Sequence, residues 1–114
     1  MNARSNPLKL NPLQLRTLAL LQEMARNPEL ASIDPQSGEA LLTQIPHPHG
    51  DHFHIGAKVV AARDASGFAN PSVWAALERK GLARGQFPYA LTLTVAGLAY
   101  DTSAAGRLLH GADH

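Results

Sequence analysis

The chain has 114 residues, 45% of them hydrophobic, which is the size and apolar content of one ordinary domain with one core. Ten lysines and arginines stand against nine acidic residues, a formal net charge of +1, so no strongly basic surface that grips nucleic acid by charge alone is expected. There is no cysteine, which excludes disulfides, thiolate zinc sites and cysteine nucleophiles.

Residues 1 to 10 read as a flexible arm without the apolar run of a signal peptide, and a cytoplasmic location is expected. Asn11-Pro12 then opens a helix, because asparagine accepts from free N–H groups and proline at the first helical position loses nothing. Leu13, Thr17, Leu20, Leu21 and Met24 share one face, and Leu15 and Leu18 widen it. Gln14, Arg16, Gln22 and Glu23 interrupt the run, so it spans no membrane. A stripe this wide suits a central core helix or one shared with a second copy, and a homodimer through it is expected. Asn27-Pro28 ends the helix. Ile33-Asp34-Pro35 repeats the cap-plus-proline start. Glu39-Ala40-Leu41-Leu42-Thr43-Gln44-Ile45 reads as a short second helix stopped by Pro46, with a strand as the alternative.

Residues 46 to 50 are turn-rich. His52-Phe53-His54-Ile55 alternates polar and apolar residues as a half-buried strand does. Lys58-Val59-Val60-Ala61-Ala62-Arg63 reads as a strand by its valines and a helix by its alanines, and residues 64 to 67 as a loop. Asn70-Pro71 opens a further helix with Val73, Trp74, Ala76 and Leu77 on its apolar face, closed by Lys80-Gly81. Leu82-Ala83-Arg84 and Tyr89-Ala90-Leu91-Thr92-Leu93 are hairpin arms around Gly85-Gln86-Phe87-Pro88, and Thr94 caps a final short helix. Residues 11 to 101 are expected to form the domain, and residues 102 to 114 a flexible tail.

The pattern Leu77-Glu78-Arg79-Lys80-Gly81-Leu82, followed by Leu93-Thr94-Val95-Ala96-Gly97, resembles the recognition-helix end, wing and next helix start of winged-helix regulators of the multiple-antibiotic-resistance (MarR-like) type. The resemblance covers residues 67 to 101 well, the first helix loosely and the middle poorly. The helix from residue 72 to 80 is about one turn shorter than in that family. The resemblance implies an α+β, winged-helix-like fold: N-terminal core helices, then a recognition-type helix and a β-hairpin wing. It also implies binding of double-stranded DNA through the exposed side of that helix, with Asn70, Ser72, Arg79 and Lys80 at the duplex and Arg84 and Gln86 on the wing.

A second motif lies upstream. His47-Pro48-His49-Gly50-Asp51-His52 fits the H-x-H-x-D-H string of the metallo-β-lactamase superfamily. That superfamily's sandwich needs further ligands downstream, and after His54 the only histidines are His110 and His114, so a hydrolase is not expected. Neutral imidazoles and a carboxylate remain good ligands for zinc or another transition metal, and His47, His49, Asp51, His52 and His54 are the candidate set. The alternative is a polar loop with no metal. The sequence thus points to a small non-enzymatic regulatory protein that binds DNA and requires no cofactor. Its alternative is a winged-helix protein-interaction module carrying a histidine-rich metal site.

Overall fold

The computed structural model describes residues 6 to 45, 51 to 55, 58 to 61 and 65 to 102. Helix α1, Pro12–Ala25, starts in a reciprocal cap: Asn11 Oδ1 accepts from the Gln14 N–H at 2.8 Å, and Gln14 Oε1 accepts from the Asn11 N–H at 3.0 Å. Leu15, Leu18, Leu20, Leu21 and Met24 are all buried inside the single chain. Helix α1 lies against two later helices, a 3-10 turn and two strands, and these account for the width of its apolar stripe without a second copy. Among the described residues no helix is long and apolar enough to cross a membrane.

The helix expected over residues 39 to 45 does not form. Strands β1, Ala31–Ile33, and β2, Ala40–Leu42, make an antiparallel hairpin instead. Asp34-Pro35 starts its turn rather than a helix: Asp34 Oδ1 accepts from the Gln36 N–H at 2.9 Å, and the Asp34 carbonyl accepts from the Gly38 N–H at 2.8 Å. Gly38 adopts φ +80°, which returns the chain to β2. Ala40 and Leu42 point into the core while Leu41 is exposed, the period of a strand and not of a helix. The order is thus one N-terminal helix followed by strands, not a set of N-terminal core helices.

Strands β3, His52–Ile55, and β4, Lys58–Ala61, form a second hairpin that stands apart from the main sheet. A 3-10 turn, Ser66–Ala69, leads into helix α2, Pro71–Arg79. Asn70 caps α2 by accepting from the Ser72 N–H at 2.9 Å. The helix ends in a double-bonded C-cap: Gly81, at φ +76°, donates to the Glu78 carbonyl and Leu82 donates to the Leu77 carbonyl. Strands β5, Ala83–Gln86, and β6, Ala90–Leu93, follow as the expected hairpin. Thr94 caps helix α3, Val95–Ala99, by accepting from the Gly97 N–H, and its hydroxyl donates to the Gly81 carbonyl at 2.7 Å.

The molecule is therefore mixed α+β, with three α-helices and one four-stranded antiparallel sheet of order β1-β2-β6-β5 among the described residues. Leu42, Leu91, Leu93 and Ala83 line its inner face against Leu18, Leu21, Met24 and Leu77. Buried Gln22 fastens α1 to the far end of the chain. Its Nε2 donates to the Gly97 and Tyr100 carbonyls at 2.8 and 2.9 Å, and its Oε1 accepts from the Thr102 hydroxyl at 2.7 Å. From Asn6 onward the segment read as an arm belongs to the packed structure. Leu10 is buried, and the Tyr100 hydroxyl accepts from the Leu8 N–H and donates to Asn6 Oδ1. Residues 1 to 5, and all of the predicted tail beyond Thr102, lie outside the described residues.

Candidate functional site

Helix α2 buries Val73, Trp74, Ala76 and Leu77, so its helical period turns Ser72, Ala75, Glu78 and Arg79 outward. Trp74 couples this helix to the β5–β6 hairpin. Its ring meets Phe87 at the hairpin tip edge-on, centroids 4.9 Å apart, and its Nε1 donates to the Phe68 carbonyl at 3.1 Å. Gly85 lets the strand lie close on the indole, since a Cβ there would stand 3.0 Å from its ring. Helix and hairpin are thus held as one unit by a buried side chain. Beyond Phe87 the tip carries Tyr89, 76% exposed.

The six side chains expected at the duplex do not all stand ready. Ser72, Arg79 and Gln86 are exposed on α2 and β5. Asn70 uses its side-chain oxygen as the cap of α2. Lys80 donates from Nζ to the Leu8 carbonyl at 2.8 Å, tying the N-terminal segment to the helix end. Arg84 grips Glu39 with both terminal guanidinium nitrogens, at 2.9 and 2.5 Å. That pair crosses the solvent face of the sheet, where the register sets Leu41 beside Thr92 and Thr92 beside Arg84. The Arg84 bond holds the Glu39 carboxyl below the usual carboxylate range, and Glu39 in turn raises the Arg84 guanidinium. An open groove of about 340 Å³ runs from Glu78 across Arg84 and Gln86 to Leu41 and Thr92.

Glu39 is the site residue that the sequence reading missed. The sequence reads it into a helix, whereas the strand puts it on the face of Leu41, next to the arginine expected on the wing. Ala40-Leu41-Leu42 is apolar throughout, so the alternation appears only in burial and leaves no signal in the sequence. Tyr89, which the sequence reads only as part of a strand arm, stands exposed at the hairpin tip.

In the histidine segment, Asp51, His52 and His54 are described, and His47 and His49 lie outside the described residues. The register pairs His54 with Val59 and His52 with Ala61. Ile55 and Val60 go into the core, so His52, His54, Val59 and Ala61 share the outward face. His52 Nε2 lies 3.0 Å from His54 Nε2, and His52 Nδ1 lies 3.2 Å from Asp51 Oδ1. The hydrogen bond with His52 lowers the Asp51 carboxyl from its ordinary value. No group of three or more metal-capable side chains converges among the described residues. Comparison with family models, curated proteins and solved structures returns no match to this chain.

Proposed function

We propose that this chain is a winged-helix-type module that binds duplex DNA, with α2 as the helix offered to the major groove and the β5–β6 hairpin as the wing. The observation that carries the reading is the linked placement of these two elements. The 3-10 turn and α2 sit between β2 and β5 in the chain, while β6 lies between β2 and β5 in the sheet. A helix that leads into a hairpin whose second strand returns beside β2 supports a recognition-type helix followed by a wing, with the β3–β4 hairpin standing before the 3-10 turn in place of a further helix. Ser72 and Arg79 on the solvent side of α2, and Gln86 on β5, supply donors for phosphates or base edges. Arg84 joins them when Glu39 releases it.

A second reading, a protein-interaction module of the same architecture, is favoured by the way the cations are used. Lys80 and Arg84 are engaged within the chain, and Glu78 adds an acidic group to the outward side of α2. Titrating the protein with a random duplex at low salt, while following backbone amide resonances, separates the two. The DNA reading expects salt-sensitive shifts concentrated on residues 70 to 80 and 84 to 90. Absence of binding at low salt, or shifts confined to other surfaces, would assign the face to a protein partner.

A further inference from the structure

We propose that His52 and His54 form a two-imidazole clamp for a divalent transition-metal ion of the zinc class, bound through both Nε2 atoms on the outward face of the β3–β4 hairpin. The inference is independent of DNA binding and rests on the geometry of the pair. Alternate residues of a strand point to the same side, so two histidines separated by one residue stand side by side. Burial of Ile55 and Val60 fixes which side that is.

The two ring nitrogens stand as close as two ligands of one ion would. Zinc sits about 2.0–2.1 Å from each imidazole nitrogen, so two nitrogens 3.0 Å apart subtend about 94° at the ion. The ring centroids are 4.7 Å apart. Carrying the same angle back along each ring axis gives a centroid spacing of about 4.7 Å. Rings joined end to end through a straight N–H···N bond would be spread to about 5.3 Å. Both spacings are therefore those that two imidazoles sharing one ion would show.

Asp51 supplies the orienting contact. An ionised carboxylate only accepts, so its bond to His52 Nδ1 puts the proton on that nitrogen and leaves the Nε2 lone pair outward. A carboxylate behind a ligating imidazole fixes its tautomer and raises its basicity. Without metal, His54 closes the short contact by donating its own Nε2 proton to His52. When an ion binds, that proton moves to His54 Nδ1 by exchange with solvent, so the ring stays neutral and both Nε2 lone pairs are available to the metal. Val59 and Ala61, opposite the histidines, are exposed, so the strand beside them leaves room for water or other donors at the remaining coordination positions. Imidazole nitrogen suits zinc, copper and nickel, whereas magnesium prefers oxygen.

The test is a titration of the full chain with Zn2+, and separately with Mg2+, read by calorimetry and by the side-chain 15N resonances of the histidines. It is run in the native protein and in a background with His47, His49, His110 and His114 all replaced by alanine. The clamp predicts one Zn2+ per chain in both, with the His52 and His54 Nε2 resonances moving together and no response to Mg2+. Adding His52→Ala or His54→Ala to that background should weaken zinc at least about tenfold, and Asp51→Ala should weaken it by about 10–100-fold without changing the stoichiometry. All three side chains lie at the surface, so backbone spectra of the variants should match the parent. Zinc binding lost in the four-histidine background would overturn the proposal, as would binding there that survives both single replacements.

Discussion

Gln22 sits 7% exposed within the leucine face of α1, and both of its amide N–H groups and its side-chain oxygen are bonded to residues 97 to 102. Replacing it by leucine keeps the volume but strands two carbonyls and a hydroxyl in a poorly hydrated place. Gln22→Leu should therefore cost about 2–3 kcal/mol in urea unfolding, although it makes the helix more apolar. A neutral or stabilising result would show that α3 is held by packing alone. The Glu39–Arg84 pair calls for a different measurement, because both partners are at the surface. Glu39 has a lowered folded value, so its contribution is present above the ordinary glutamate range, near about 4.3, and is lost as pH falls through the lowered value. Native protein should lose stability over that acid interval relative to Glu39→Gln, with the two parallel at neutral pH. Asp34, lowered chiefly by the Gln36 N–H, is also charged and repels Glu39, so the same pair of curves measured in an Asp34→Asn background removes its share.

The 3-10 turn before α2 owes its position to Gly67. A Cβ there would fall on the Thr17 hydroxyl of α1, so Gly67→Ala should push the turn away and lower stability by about 1–3 kcal/mol. Thr17→Ala removes the obstructing hydroxyl, so the double replacement should be less harmful than the sum of the two singles, a coupling that a double-mutant cycle reads directly. Additive effects would mean that the turn does not lean on α1 at this point. Elements of this kind also mark where the sequence was legible. Asn11-Pro12, Asn70-Pro71, Lys80-Gly81 and Thr94 announce helix ends through chemistry confined to a few neighbouring residues, and the structure has helix termini at each. Asp34-Pro35 carries the same local chemistry but closes a hairpin. What decides is Gly38 and the alternation of Ala40, Leu41 and Leu42, three residues too short to advertise a strand. Long-range partners left no local trace. Lys80 bonds a carbonyl 72 positions away, and Arg84 bonds a carboxylate 45 positions away, so their availability could not be read from their neighbours.

For the whole molecule, a net charge of +1 means that any affinity for duplex must come from a few placed donors, and each can be counted in the salt dependence. The structure sorts them into Arg79, which is exposed, and Arg84, which is held by Glu39. The most direct measurement is the affinity for a duplex as a function of salt, for native protein, Arg79→Ala and Glu39→Gln. The proposed function predicts binding whose salt slope falls by about 1 in Arg79→Ala and rises by about 1 in Glu39→Gln, where Arg84 is released to a phosphate. No binding at low salt, or slopes unchanged in both variants, would contradict it.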